Sequence, residues 1–346
     1  EYDQSRGRLE KQFKLVINNL KYPAHSGRLS VLEFILTIVR KSSKDLLSRL
    51  TTSLFIALAN VSVTDDNPRC RESATEILGL MFQRLVDSSM NMDFVEKYTS
   101  AWLSQDKKAL LVRCALNVYK VYISSVGIAK SSTLDELALN RIKKTLKLSR
   151  RADDDDDDDN DEGDNFVSND EAEWQMVYSC LSVFETLSGK TNVFERKYNE
   201  IWIDVIGTML YPHSWIRLVS SRLIFKLLKE IVDNESKSIE LEIDDASIQT
   251  VAYRTFRQLG APRISEKLAS QSIANLVYVS KKWDVENTKF ISFNKQDDGD
   301  ELEEEGRRTK KQFVDAFDWA LNRCASILRN DSRDINDMLV TKGAII

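Results

Sequence analysis

Two histidines, four cysteines and a recurring arginine are the residues of this 346-residue chain whose types and spacing bear on chemistry. His25 and His213 stand in similar turns, Tyr22-Pro-Ala-His-Ser and Tyr211-Pro-His-Ser. A histidine in such a turn caps a helix or bonds a neighbouring backbone group more often than it carries a proton for a substrate. No glycine-rich phosphate loop, nucleophile elbow, His-Glu-x-x-His or Cys-x-x-Cys is present. The expectation is a non-enzyme, with no catalytic residue, cofactor, metal or small-molecule substrate. Cys70, Cys114, Cys180 and Cys324 are widely separated among apolar residues. They read as small, reduced core residues, which suits a cytosolic or nuclear compartment.

The arginines recur. Arg28, Arg71 and Arg113 are 43 and 42 residues apart, and Arg217 precedes Arg263 by 46. Each of the four prolines, Pro23, Pro68, Pro212 and Pro262, lies one to five residues before one of them. Proline suits the first turn of a helix, where its missing N–H has no intrahelical partner. Apolar residues follow at three-and-four spacing, as in Trp215, Ile216, Leu218, Val219, Leu223, Ile224, Leu227 and Leu228. Arg28, Arg71, Arg113 and Arg217 are therefore expected early in the second helix of successive units. There a guanidinium would bond an aspartate or carbonyl of the adjacent turn and link repeat to repeat.

The elements that hold these arginines are helices. Apolar periodicity predicts helices over 9–22, 46–61, 94–103, 134–148, 171–187 and 193–210, each before or between copies of the arginine device at 22–36, 65–80, 105–119, 211–228 and 262–276. A period of about 42–46 residues with two helices per unit implies an all-α solenoid of the HEAT or armadillo kind. The Asp66-Asn-Pro-x-x-Arg-x-x-Ala74 wording favours HEAT. Only 4 prolines and 11 glycines argue against a sandwich or barrel. No apolar run reaches the ~20 residues of a membrane span. The expected organisation is repeats over 1–150, an acidic disordered loop at 151–170, repeats over 171–282, an acidic linker at 283–306, and a terminal helix and tail at 307–346. Trp102, Trp174, Trp202, Trp215 and Trp319 fall on apolar faces and are expected in the core. The first residue is Glu1, without an initiator methionine or a signal-peptide pattern, as expected of a piece of a longer chain.

The net charge of −5 conceals a segregation. Asp153–Glu173 holds 13 acids and no base, and Asp297–Glu305 holds 7 acids and no base. Setting these aside leaves 34 acidic residues against 49 basic ones. The remainder is basic, which points to a polyanionic partner. Candidate RNA or partner contacts are Lys107, Lys108, Lys143, Lys144, Lys147, Arg150, Arg151, Lys281, Lys282, Arg307, Arg308, Lys310 and Lys311. Two readings of the Asp-rich run stay open: a solvated loop, or a segment that engages basic protein or shields a nucleic-acid surface.

Three stretches carry a resemblance: Pro23-Ala-His-Ser-Gly-Arg-Leu-Ser-Val-Leu-Glu-Phe34, Asp66-Asn-Pro-Arg-Cys-Arg-Glu72, and Tyr211-Pro-His-Ser-Trp-Ile-Arg-Leu-Val-Ser-Ser-Arg-Leu223. Over roughly 20–280 the chain resembles the C-terminal part of the Utp-twenty, or "down-regulated in metastasis", family, the large HEAT-repeat component of the small-subunit processome. The resemblance implies a nucleolar scaffold of the early pre-ribosome, associated with pre-ribosomal RNA, small nucleolar RNA and other processome proteins, and required for small-subunit rRNA processing. It implies no membrane and no catalysis. The alternative is a protein-only HEAT adaptor or nuclear transport receptor. Such a receptor would be expected to present acidic inner helices, and here the second helices carry the arginines.

Overall fold

Asn67 and Pro68 begin one of the helices the spacing predicts. The Asn67 side-chain oxygen accepts from the amides of Arg69 (2.9 Å) and Cys70 (3.4 Å), and Pro68 takes the first helical position. The computed structural model describes residues 11–87, 92–127, 132–154, 170–233, 241, 243, 245–261 and 264–282. Among the described residues there are twelve α-helices and no strand. They are α1 (residues 11–18), α2 (His25–Lys41), α3 (Lys44–Thr64), α4 (Pro68–Asp87), α5 (Asp93–Leu103) and α6 (Ala109–Ser125). There follow α7 (Ser132–Asp154), α8 (Asp170–Leu187), α9 (Asn199–Gly207), α10 (Ser214–Asp233), α11 (Asp245–Leu259) and α12 (Glu266–Lys282). The expected acidic linker and the terminal helix at 307–330 lie outside the described residues, as does the acidic run from residue 155 to 169.

The helices group into two compact units. One holds α1–α6, the first part of α7, and α8; the other holds the rest of α7 and α9–α12. Within the first, α4 lies on α2 and α3, and α6 on α3, α4, α5 and α8. Within the second, α12 packs on α10 and α11. The fold class expected from the spacing, an all-α solenoid of helix pairs, is what the structure shows.

Aromatic packing fills the first unit. Phe55 on α3 stacks on Trp102 with centroids 5.6 Å apart and meets Phe94 edge-on at 5.4 Å. By length and apolar content α3 alone among the described helices would suffice to cross a membrane, contrary to the expectation that no such stretch exists. Its buried face, Leu47, Leu54, Phe55 and Leu58, is instead a core face, since α4 and α6 pack on it. In the second unit the fully buried Trp202 stacks on Phe194 at 5.7 Å and donates its indole N–H to the Val193 carbonyl at 2.9 Å.

That bond corrects the single helix expected over 193–210. Residues 192–194 are not helical, because the Val193 carbonyl serves Trp202. At the far end Arg254 donates to the carbonyls of Ile206 and Gly207. The chain then tightens into a 3₁₀ turn at Thr208–Leu210. Helix α11 has no counterpart among the expected helices, although Ile248, Val251, Ala252 and Leu259 build its buried face.

Repeat-equivalent positions show what neighbours contribute. Counting from the arginines, Ile77 of α4 and Tyr119 of α6 correspond to Phe34 of α2. Ile77 is fully buried and Tyr119 is 1% exposed, whereas Phe34 is 52% exposed. Burial is supplied by the preceding helix pair: Cys70 and Arg84, one helical heptad either side of Ile77, reach the His25 and Val39 carbonyls of α2. Ile77→Ala is expected to cost about 2–5 kcal/mol in denaturant unfolding, and Phe34→Ala to stay within about 1 kcal/mol. Equal costs would contradict burial by the preceding pair.

Candidate nucleic-acid interface

Arg28, Arg71 and Arg217 all fold back over their own turns. Each guanidinium donates to the carbonyls six and five residues earlier. Arg28 reaches those of Tyr22 and Pro23 (both 2.9 Å), and Arg71 those of Asp65 (2.7 Å) and Asp66 (3.1 Å). Arg217 reaches Tyr211 (2.8 Å) and Pro212 (2.5 Å). A helix N-terminus leaves the carbonyls of the entering turn without helical partners, and one planar fork satisfies two of them. Arg28 goes further, gripping the Asp65 carboxylate through Nε (2.8 Å) and a terminal nitrogen (2.9 Å) and also bonding Asp66. The turn between α3 and α4 therefore receives Arg28 on its carboxylates and Arg71 on its carbonyls.

Asp65 is nearly enclosed. Burial works against its charge, but the hydrogen bonds from Arg28 and the Asn67 amide together with the Arg28 charge outweigh it. The carboxyl is held below its usual range. Arg113 is placed differently. It is half-buried, its Nε has no hydrogen-bond partner, and burial lowers its pKa with the nearby charge of Arg71 acting in the same direction. Asp106, in the turn before α6, pairs instead with Arg141 at 2.8 Å. His213 caps its turn, accepting from the Trp215 amide at 3.3 Å, and burial and then Arg217 lower its pKa.

The candidate contact residues spread over separate elements. Lys107 and Lys108 are exposed in the turn before α6, and the Lys108 carbonyl accepts from Leu111 and Val112. Lys143, Lys144 and Lys147 lie on α7. Lys143 pairs with Glu200 at 3.2 Å, and the other two are outside the buried set. Arg150 and Arg151 continue α7, Lys282 ends α12, and Arg307, Arg308, Lys310 and Lys311 lie outside the described residues, as does Arg263. Lys281 sits 4.9 Å above the Tyr278 ring.

One charged face escaped the sequence reasoning. On α10, Trp215, Arg222 and Lys229 recur every seven residues with Lys226 beside them, and all four are outside the buried set. Trp215 is 56% exposed, which corrects its expected place in the core. Its neighbour Ile216 is the buried one, because it faces inward with Val219, Ser220 and Leu223. Arg222 and Lys267 of α12 line an open groove of about 480 Å³ together with Leu218, Glu266, Ser270 and Gln271. Further along, Phe225 of α10 meets Tyr278 of α12 edge-on at 5.2 Å. The seven-residue spacing of Trp215, Arg222 and Lys229 was the available signal.

Cys70, Cys114 and Cys180 are buried and form no disulfide, and Cys324 lies outside the described residues. Burial pushes the Cys114 thiol up to about 11, against the pull of Arg113. Among the described residues no three His, Cys, Asp or Glu side chains gather as a metal site.

No family profile matches the chain. It is 38% identical over all 346 residues to U3 small nucleolar RNA-associated protein 20 of Saccharomyces cerevisiae, of which it spans 13%. It is 26% identical over 328 residues, 92% of the chain, to the protein of the same name in Schizosaccharomyces pombe, of which it spans 12%.

Two outcomes test the geometry. Asp65→Asn should lower the melting temperature by several degrees at neutral pH. The lowered carboxyl pKa makes its stabilisation complete above the ordinary value of 3.8 and lost as pH falls through the folded value. Wild type and variant should therefore converge in acid, and a constant difference from pH 7 to pH 2 would refute the ion pair's role. In native protein at pH 8, Cys70, Cys114 and Cys180 should resist alkylation until denaturant is added, as peptide mass mapping would register.

Over its whole length the chain is homologous to a short segment of U3 small nucleolar RNA-associated protein 20, of the family its motifs resemble.

Proposed function

We infer that the chain is a non-catalytic scaffold segment of the early small-subunit pre-ribosome. It holds pre-ribosomal RNA, small nucleolar RNA and neighbouring processome proteins in the nucleolus through broad, shallow contacts, and supports small-subunit rRNA processing. The observation that carries this reading is the similarity, over all or nearly all of this chain, to short segments of proteins named for association with the U3 small nucleolar RNA. The fold supports it, since stacked helix pairs offer long surfaces without needing a deep pocket. His213 supports the non-catalytic part, being engaged in its own turn.

In this reading Arg28, Arg71, Arg113 and Arg217 are structural, keeping turns and neighbouring repeats in register. Lys107, Lys108, Lys143, Lys144, Lys147, Arg150, Arg151, Lys281 and Lys282 meet phosphates or acidic protein, as do Arg307, Arg308, Lys310 and Lys311 of the last segment. Contacts of this type read backbone charge, and their strength falls with salt.

Crosslinking the chain to RNA in cells and sequencing what is recovered tests the reading. Pre-ribosomal and U3 small nucleolar RNA are the expected products. Absence of RNA crosslinks together with a cargo-like set of bound proteins would instead establish the protein-only adaptor. In vitro, replacing Lys107, Lys108, Lys143, Lys144 and Lys147 by alanine should weaken RNA binding without lowering the melting temperature. The slope of log affinity against log salt should become shallower by about 0.7 for each single-strand phosphate that the variant no longer neutralises.

A further inference from the structure

We propose that the outward face of α10, with the edge of α12 beside it, is a binding surface for single-stranded RNA. The proposal rests on the RNA-contacting reading above and, Lys281 apart, assigns it to residues that reading does not use.

The face differs from what a solvated helix surface requires. Charged residues on an exposed helix usually alternate in sign, and the equivalent positions of α2 and α4 carry acids among their bases. Counting from the arginines, Arg222 corresponds to Glu33 and Glu76, and Glu76 pairs with Arg40 at 3.5 Å. On α10 the acid is replaced by Arg222, and Lys226 and Lys229 follow on the same side. Across the groove α12 adds Lys267, with Lys281 farther along. Glu266, beside Lys267, is the acid lining that groove. Glu230 and Asp233 end α10 beyond Lys229, so five cations face three acids; the balance stays positive, which favours a polyanion.

The aromatic residues decide which polyanion. Trp215 stands on the line of Arg222 and Lys229, and its 56% exposure leaves a large ring area in water. Its equivalents in α2 and α4 are Ser26 and Arg69, so packing of the repeat does not demand a tryptophan there. A ring at one end of a row of cations, with successive groups ~10 Å apart along the helix, matches a strand whose base stacks while its phosphates follow the charges. Duplex RNA offers no free base to Trp215. An acidic peptide would use the cations and leave the ring idle. Phe225 and Tyr278, packed edge to face, join the two helices, with Lys281 over the Tyr278 ring.

The test uses the whole 346-residue chain and a fluorescent 12-nucleotide single-stranded RNA, read by anisotropy over a range of salt. Trp215→Ala is expected to weaken binding roughly 5- to 100-fold, and Trp215→Tyr to restore most of it. Replacing Lys229, Lys267 and Lys281 by alanine should reduce the salt slope by about 2. All these residues are at the surface, and unchanged circular dichroism and melting keep loss of fold apart from loss of binding. Binding that these substitutions leave unaltered, or equal competition by duplex RNA or an acidic peptide, overturns this surface alone. Failure of the unaltered chain to bind any RNA overturns the RNA reading and this surface with it.

Discussion

A helix whose apolar residues cover more than one face is stable only while something covers each of them. Helix α4 shows the constraint most plainly. Cys70, Ala74, Ile77 and Met81 form one buried face, and Leu78, Phe82 and Leu85 another. No single partner helix could cover both, so α4 takes α2 on one side, α3 below and α6 on the other. Gly79 marks how closely that last approach is made, since a Cβ there would lie 2.7 Å from the Ser125 hydroxyl. Stability in such an array is shared between repeats rather than held within one.

Hydrophobic stacking sets the distance between helix pairs but says little about their register, because apolar surfaces slide. Polar groups supply the register, at the turns and in the core. Arg28 reaches 37 residues ahead to Asp65, so that two successive turns share one fork of hydrogen bonds. In the second unit the buried Gln258 gathers α10, α12 and the 3₁₀ turn. Its side chain donates to the Met209 carbonyl and accepts from Ser221 (3.0 Å) and Ser272 (2.9 Å). Each of these groups loses its water on burial and is satisfied only if the helices meet in one way.

The fold was largely legible because its signal is periodic. Arginines 42 to 46 residues apart, with prolines just before them, were enough to find the second helices, and the pairs followed. What escaped was set by contacts that sequence spacing does not encode. The break at 192–194 depends on Trp202 reaching back nine residues to the Val193 carbonyl. Helix α11 was missed because Gln249, Thr255 and Gln258 are buried on it, diluting its apolar rhythm with polar residues. The candidate interface was less legible still. Trp215 and Ile216 are adjacent and both apolar, and only the roll of α10, set by Ser220 bonding Thr208 at 2.7 Å, decides which faces water.

That roll also explains why chemistry could diverge on one face while the architecture stayed constant. Ile77, Tyr119 and Leu223 are held to large apolar residues by packing, and Arg28, Arg71 and Arg217 by the turn carbonyls. Positions one step round the helix stay outside the core, so a change there from Glu76 to Arg222 costs the fold almost nothing. A solenoid therefore separates two kinds of constraint along every second helix. The inner stripes repeat because stacking demands it, and the outer stripe carries whatever the partner requires. In α10 the outer stripe combines Arg222, Lys226 and Lys229 with a tryptophan that the core does not need, and that combination is the part of the repeat able to answer to a ligand.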